Sequence, residues 1–193
     1  GEHEFIIEDS LGKRTSKKVQ VANIDKEVPI PTITYSTTEL TNQDVTAIIT
    51  FNEGGSPVRV TNNNGRNTYV FTSNGEFTFE FSDEAGNTGS ATAVVSNIDK
   101  TPPEITLISD QFDLKPHKSI SVTITADDLN AIKEIKYRFV RTDQSGGTLL
   151  QNCENGETVF LDSNSPDGRY ILEVTAYDNA GNIKTVTSDS LIL

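Results

Sequence analysis

An internal repeat is the feature of this sequence that most constrains its fold. Residues 1–29 align without a gap with residues 75–103, at an offset of 74 positions, and 12 of the 29 aligned positions are identical. The turn Asp83–Asn87 returns once more as Asp178–Asn182. Self-similarity at a fixed spacing is typical of chains built from tandem units. The chain is therefore expected to hold the end of one repeat, one complete repeat and a longer last repeat.

Within each repeat, apolar residues recur with a period of two. Phe77, Phe79 and Phe81 are separated by polar residues, and residues 120–126 alternate Ile, Val, Ile and Ala with Ser and Thr. This alternation is typical of half-buried strands. Clusters of Asn, Gly, Asp and Ser recur at short spacing, and no segment keeps a helical period. Many short strands in units of roughly 75–95 residues predict an all-β fold made of β-sandwiches.

The alternation and the turns also position the predicted strands. In the complete repeat they lie near 30–36, 45–51, 57–61, 67–72, 76–82 and 88–96. In the last repeat they lie near 104–108, 119–126, 132–141, 147–151, 157–161, 169–177 and 183–192. The Asp-x-x-Gly-Asn turn then joins the last two strands of each repeat, where Asp caps the turn and Gly supplies its left-handed residue.

The charge of the chain restricts its partners. The formal net charge is −12, from 28 acidic and 16 basic residues, and no basic stripe interrupts the acidic units. This argues against nucleic acid or an anionic membrane as a partner, and leaves metal cations as a reasonable one. Cys153 is alone, so an intrachain disulfide is excluded. No apolar stretch approaches the ~20 residues of a membrane span, and the sequence is expected to be a segment of a longer protein.

Two segments carry a resemblance to a known family. NGEFTFEFSDEAGNTGSATAVVSNIDKTPP and DGRYILEVTAYDNAGN resemble bacterial immunoglobulin-like (Ig-like) repeats, which stand in tandem in secreted and cell-surface proteins. The resemblance implies tandem Ig-like β-sandwich domains outside the bacterial cell. It divides the chain into 1–26, the C-terminal F–G hairpin of a truncated repeat, then 27–100 and 101–193. Because this fold hosts many functions, the resemblance implies no particular activity.

Catalytic and carbohydrate-binding patterns are missing from the sequence. The chain has only two histidines, His3 and His117, and it contains no nucleophile-elbow, metalloprotease or phosphate-loop motif. We therefore expect that it is not an enzyme. Carbohydrate-binding modules usually present exposed aromatic platforms, but this chain has no Trp, and most of its Phe and Tyr residues stand at core-facing positions.

Acidic residues provide the sharpest functional hypothesis. In an Ig-like sandwich the B–C and F–G loops lie at the end where the chain enters, beside the preceding linker. In each repeat this gathers one set of carboxylates beside the preceding linker. The set of the last repeat is Asp99, Asp127, Asp128 and Asp178, and that of the complete repeat is Asp25, Glu53 and Asp83. Such oxygen ligands suit Ca²⁺, which takes 6–8 of them and would stiffen the linker. The alternative is that these carboxylates only cap turns and end strands.

The sequence favours a spacer or stalk segment of an extracellular or cell-surface protein, with neighbouring Ig-like repeats of the same chain as its partners. Prolines in the linkers 24–29 and 98–103 limit bending there. One alternative is an adhesin module that binds cell-wall, host or glycan ligands. Another is an accessory domain of a secreted polysaccharide-degrading enzyme.

Residues 1–22 carry a separate expectation. An isolated two-stranded hairpin is marginal in water, and this one would expose the apolar side chains of Phe5, Ile7, Val19 and Val21. We expect the hairpin to be covered by upstream strands, by a neighbouring chain or by a surface of the next repeat. Cover from a neighbouring molecule is the favoured explanation.

Overall fold

The computed structural model describes residues 1–52 and 57–193, and in this part of the chain the regular structure is almost entirely β. The strands in chain order are β1 (Glu2–Glu8), β2 (Arg14–Gln20), β3 (Ile30–Tyr35), β4 (Val45–Asn52), β5 (Val58–Val60), β6 (Thr68–Phe71), β7 (Gly75–Asp83), β8 (Thr88–Val95), β9 (Glu104–Ile108), β10 (Ile120–Asp127), β11 (Ile132–Arg141), β12 (Gln151–Cys153), β13 (Thr158–Leu161), β14 (Arg169–Asp178), β15 (Ile183–Thr187) and β16 (Leu191–Ile192).

The all-β prediction is confirmed. Within the described residues the only helical element is a short 3₁₀ turn, Asn63–Gly65. None of the described segments forms a helix with the length and apolar character needed to cross a membrane. The β pattern follows from the period-two alternation, since β10 reads alternately buried and half-buried along Ile120–Ala126.

The backbone packs into two compact units. The first consists of Gly1–Ser36, Thr46–Val70 and Glu76–Val94, and the second of Thr37–Val45, Phe71–Gly75 and Val95–Leu193. These units follow packing density rather than the sequence repeat. The boundaries drawn from the repeat, 1–26, 27–100 and 101–193, therefore stay a prediction.

Aromatic side chains fill the core of the first unit. Strands β3, β4 and β6 form one sheet, and β5, β7 and β8 form another. Phe51 of β4 packs against Phe81 of β7 with ring centroids 4.8 Å apart, which joins the two sheets. Gly89 of β8 makes room for this packing, because a Cβ there would lie 2.7 Å from the Phe81 ring. Phe79 and Phe81 are the buried residues of the alternating stretch, 0% and 2% exposed.

The second unit contains the sandwich of the last repeat. One sheet has the order β13-β10-β9, and the other has the order β12-β11-β14-β15 with β16 also paired to β14. The two sheets enclose one continuous apolar cluster, which includes Ile124, Phe139, Leu172 and Val174. Inward-facing residues of both sheets build this core, as expected for an Ig-like sandwich.

Parallel bridges connect early and late segments of the second unit. Thr41 forms a parallel bridge with Ile98, and Pro116 forms one with Ile192. The amide of Asp99 donates to the carbonyl of Thr41 at 2.9 Å, and the amide of His117 donates to the carbonyl of Ile192 at 3.0 Å. These hydrogen bonds hold residues 97–99 beside Thr41, and Ile192 beside residues 116–117.

Two predicted strands of the last repeat differ from the structure. The strand expected near 147–151 lies at β12, Gln151–Cys153, because Gly147 forms only an isolated bridge to Val140. The strand expected over 183–192 is divided into β15 and β16. The break falls at Ser188. The backbone amide of Leu172 donates to the hydroxyl of Ser188 at 2.8 Å, whereas in a regular ladder it would donate to a backbone carbonyl. A side chain that competes for ladder bonds ends a strand locally.

The hairpin of β1 and β2 stands outside the larger sheets. The two strands pair antiparallel from Glu2↔Gln20 to Glu8↔Arg14, and among the described residues neither pairs with any other strand. Phe5 and Ile7 are 60% and 67% exposed. Among the described residues no other segment covers the hairpin, so a surface of the next repeat, one of the three covers considered, does not provide it.

Tyr170 anchors the start of β14. Its side chain is buried and its hydroxyl donates to the carbonyl of Pro166 at 2.7 Å, an arrangement typical of the tyrosine corner of Ig-like domains. We expect Tyr170→Phe to lower the free energy of unfolding of the last domain by about 1 kcal/mol, since one hydrogen bond is lost. The matched control is Tyr137→Phe, whose hydroxyl contacts exposed Gln151. Denaturant unfolding of both variants measures the difference, and equal effects would contradict the assignment.

Candidate metal centre

Asp178 forms the base of the candidate site. It ends β14 and is completely buried, 0% exposed. Asn182 donates its backbone amide to Oδ1 of Asp178 at 2.8 Å and its side-chain amide to Oδ2 at 2.7 Å. Gly181 closes the turn with a φ of +94° that favours glycine. The Asp-x-x-Gly-Asn sequence therefore folds locally so that one carboxylate is fixed inside the domain.

Asp99 reaches the same place from the linker. It is 9% exposed, and its Oδ1 accepts the amide of Thr101 at 2.9 Å, while its Oδ2 accepts the side-chain amide of Asn130 at 2.7 Å. The hydrogen bond from Thr101 and then the one from Asn130 lower the pKa of Asp99 below its ordinary value, against the effect of burial. Asp99 is therefore ionised at neutral pH.

Asp128 comes from the loop that follows β10. It is half-buried, and its Oδ1 accepts the amide of Asn130 at 2.8 Å. Ala131 then takes a positive φ of +66°, which turns the chain into β11. The loop thus presents the Asp128 carboxylate beside Asn130, the residue whose amide also contacts Asp99.

The structure brings three of the four predicted carboxylates of the last repeat together. One carboxylate oxygen from each of Asp99, Asp128 and Asp178 lies within 4.8 Å of the others. Asp127 is not part of this group. It is the last residue of β10, it is exposed, and it pairs across the ladder with Glu104. Since Ala126 faces the core, strand alternation directs Asp127 away from it.

The second predicted set is only partly described. Glu53 lies outside the described residues. Asp83 is buried and accepts both the backbone amide and the side-chain amide of Asn87, as Asp178 does from Asn182. Burial raises the pKa of Asp83, but the hydrogen bonds from Asn87, Gly86 and Ala85 together lower it below its ordinary value. Asp25 accepts the amide of Glu27 at 3.0 Å, which repeats the contact between Asp99 and Thr101.

Sequence reasoning missed two asparagines that organise the site. The side-chain amide of Asn182 donates both to Asp178 and, at 3.0 Å, to the backbone carbonyl of Asp99. Asn130 links Asp99 to the loop of Asp128. The sequence shows Asn182 as the last residue of the repeated turn. No sequence pattern indicates its contact with Asp99, which lies 83 positions away.

Charge is the main property of this cluster. Within the described chain, none of the three carboxylates forms an ion pair with a lysine, arginine or histidine. Two ionised carboxylates at this separation repel each other by about 3 kcal/mol at an effective dielectric constant of about 20. The hydrogen bonds from Thr101 and Asn130 hold the pKa of Asp99 below its ordinary value, so this carboxylate stays charged beside the other two.

Within the described residues, neither His117 nor Cys153 stands beside the partner that a nucleophilic site needs. His117 lies 2.9 Å from Asp113, but among the described residues no hydroxyl or thiol hydrogen-bonds to it. Burial raises the pKa of Cys153 to about 11, with the nearby Glu157 and Glu154 carboxylates adding to the shift. The thiol is thus protonated at neutral pH and is a poor nucleophile.

Comparison with known proteins identifies the family. Residues 2–100 and 113–193 match the family described as bacterial Ig-like domain, in two tandem segments. The chain belongs to the bacterial Ig-like domain family, which confirms the resemblance drawn from its repeated motifs.

The chain is also similar to a solved structure, described as a tetra-tandem repeat in the extending region of a large adhesion protein. The two are 18% identical and superpose with a TM-score of 0.35. The alignment covers 100% of this chain and 56% of that chain, so this chain spans little more than half the length of that structure. No curated protein matches the sequence.

Proposed function

We propose that this chain is a non-catalytic spacer segment of a bacterial extracellular or cell-surface protein, and that Ca²⁺ bound at its second linker stiffens it. The observation that carries the proposal is the approach of Asp99, Asp128 and Asp178 to within 4.8 Å. Asp99 belongs to the linker, whereas Asp128 and Asp178 belong to loops of the following domain. An ion held by all three would fix the linker to that domain.

The donor set favours calcium among the common cations. All three side chains offer hard carboxylate oxygens, with no thiolate or imidazole in the group. Ca²⁺ accepts 6–8 oxygens in flexible geometry, so three carboxylates and added water molecules suit it. Mg²⁺ needs a near-octahedral arrangement, which three ligands from a linker and two loops are less suited to provide.

The alternative of an adhesin module that binds glycans has less support. The four tyrosines considered for a binding platform, Tyr35, Tyr69, Tyr137 and Tyr177, are all half-buried. Tyr69 stacks on Phe77 at 3.8 Å and Tyr137 packs edge-on against Phe139. Side chains engaged in this way offer little flat surface to a sugar. An accessory role beside a polysaccharide-degrading domain is compatible with the same spacer function.

Thermal unfolding with and without Ca²⁺ tests the proposal. A ligand at a hundred times its Kd stabilises the folded state by about 2.7 kcal/mol. For a domain of this size we expect Tm to rise by about 10 °C or more in millimolar Ca²⁺, and to fall again with chelator. Hydrogen exchange of the linker amides 98–101 should slow in parallel, since the ion would hold Asp99 in place.

Asp128→Asn and Asp127→Asn form a matched pair of variants. Asn at position 128 keeps the oxygen that accepts the Asn130 amide but removes one charge. We expect this variant to lose most of the Ca²⁺ response and, in chelator, to be at least as stable as the wild type because repulsion is relieved. Asp127→Asn should behave like the wild type. No shift of the wild type in Ca²⁺ would refute the metal site, as would equal losses in both variants. If Asp128 only caps its turn, Asp128→Asn, which keeps the accepting oxygen, should retain the full Ca²⁺ response of the wild type.

A further inference from the structure

Linker residues Ile98 and Asp99 are fully paired through their backbones. The side-chain amide of Asn74 donates to the carbonyl of Ile98 at 2.9 Å, and its oxygen accepts the amide of Ile98 at 2.8 Å. The amide of Asp99 donates to the carbonyl of Thr41 at 2.9 Å, and the carbonyl of Asp99 accepts the side-chain amide of Asn182 at 3.0 Å. Both linker residues are buried. Opening this backbone would leave paired groups unsatisfied, so this part of the linker is not a free tether.

The segment Thr37–Val45, which leads from β3 into β4, extends this pairing along the linker. The amide of Thr41 donates to the carbonyl of Asn97 at 2.9 Å. The side-chain amide of Asn97 donates in turn to the carbonyl of Glu39 at 2.7 Å. Three consecutive linker residues, 97–99, are therefore hydrogen-bonded to the same segment or to Asn74.

The segment also contacts the turn between β14 and β15. The amide of Asn42 donates to the carbonyl of Ala180 at 3.1 Å. A Cβ at Gly181 would lie 3.6 Å from the side-chain nitrogen of Asn42, which is the distance of an ordinary van der Waals contact. The segment Thr37–Val45 and this turn belong to the same compact unit of the chain. The linker thus lies between two elements that also touch each other.

The bonds of this joint are made by neutral groups. Backbone amides, backbone carbonyls and asparagine side chains provide all of the contacts to residues 97–99 described above. None of these bonds uses a carboxylate oxygen of Asp99, Asp128 or Asp178. Their formation therefore does not depend on neutralising the acidic cluster with a cation.

We propose that Thr37–Val45 is a docking surface for the turn Asp178–Asn182, and that the two, together with Asn74, fix linker residues 97–99 without a bound metal ion. The docked segment then owes its stability to the folded state of the last domain, although it precedes that domain in the chain. An ion bound at Asp99 would add stability to a joint that is already formed. The inference does not rest on the proposed metal site, because it uses no carboxylate.

Leu172→Ala tests the docking in the full chain, with chelator present. The substitution removes a fully buried side chain of the last domain and destabilises that domain. We expect the amide of Asn42 to exchange at least about tenfold faster than in the wild type, because its acceptor lies in the destabilised domain. The amide of Ser36, which donates to the carbonyl of Thr46 at 2.9 Å, should keep its rate.

A milder variant keeps this test readable if Leu172→Ala does not fold. Ile124→Val removes one methyl group from the same core, and it should accelerate exchange at Asn42 by a smaller factor, again without an effect at Ser36. If the β14 amides exchange faster in either variant while Asn42 keeps its wild-type rate, the docking is overturned.

Asn74→Asp tests the second contact of the linker. It keeps the oxygen that accepts the Ile98 amide but replaces the donor by an oxygen that faces the Ile98 carbonyl. We expect the amides of Ile98 and Asp99 to exchange at least about tenfold faster in chelator, since two paired groups lose their geometry. Asn64→Asp is the matched control, because Asn64 is also exposed and also precedes a glycine. Equal effects of the two variants would overturn the role of Asn74.

Backbone relaxation in chelator separates this inference from the calcium proposal. We expect order parameters near about 0.85 for residues 97–99, the value of rigid backbone. Values below about 0.6 would overturn the inference, whatever Ca²⁺ does to the melting temperature. Rigid residues 97–99 in a chain that shows no response to Ca²⁺ would support the inference and refute only the metal site.

Discussion

Phe79→Ala is expected to lower the free energy of unfolding of the complete repeat by about 3–5 kcal/mol. The side chain is fully buried and its ring meets Phe77 edge-on, with centroids 4.9 Å apart. Removing it loses the transfer free energy of the ring and leaves a cavity that the strands close only in part. Hydrogen exchange of the β7 amides measures the effect within this domain, separately from the last repeat.

Phe5→Ala is the matched control, because Phe5 occupies the same repeat position. Its side chain is exposed in the hairpin, so the substitution should change the stability of residues 27–193 by less than about 0.5 kcal/mol. Comparable losses in the two variants would show that the hairpin contributes to the core of the complete repeat. That result would also move the domain boundaries.

Asn182→Ala is expected to destabilise the last domain by about 2–5 kcal/mol. The side-chain amide of Asn182 satisfies Oδ2 of Asp178 at 2.7 Å and the carbonyl of Asp99 at 3.0 Å. Asp178, Asp99 and Asn182 are all buried. Each buried acceptor left without a donor costs about 1–3 kcal/mol. Denaturant unfolding monitored on the last domain, together with exchange of the Asp99 amide, measures the loss.

Asn179→Ala provides the control in the same loop. Asn179 is exposed, and its side chain makes one hydrogen bond, to the carbonyl of Asn130 at 3.0 Å. We expect a loss below about 1 kcal/mol. A similar loss of unfolding free energy in both variants would mean that any side-chain hydrogen bond in this loop contributes equally. The bond from Asn182 to the linker would then have no special role. Because that bond holds the Asp99 backbone, Asn182→Ala should also weaken any Ca²⁺ response.

Most of the fold could be predicted because strand alternation is a local property. The strand predicted at 132–141 coincides with β11, and that predicted at 104–108 coincides with β9. Errors arose where one side chain altered the ladder, as at Ser188. Positive φ angles at Leu114 and Ala131 also gave no sequence signal, since neither residue is glycine or asparagine.

The candidate site was predicted at the level of loops but not of individual donors. Topology was enough to place Asp99 beside the loops of Asp128 and Asp178, because B–C and F–G loops share one end of an Ig-like sandwich. The distinction between Asp127 and Asp128 depends on where β10 ends, and loop boundaries are not fixed by composition. The amide bonds of Asn130 and Asn182 are long-range contacts that a single sequence does not encode in any local pattern.

The parallel bridges Thr41↔Ile98 and Pro116↔Ile192 have a mechanical consequence for the proposed spacer. In each bridge a residue that follows the first strand of a predicted repeat lies beside one near the end of that repeat, with the chain running in the same direction. Pulling the two ends of the repeat apart therefore slides the paired segments along each other and loads their hydrogen bonds simultaneously, in shear. An antiparallel pair at the same place would open one bond at a time, like a zipper. In the proposed spacer, this geometry places the mechanical resistance to extension at the two bridges.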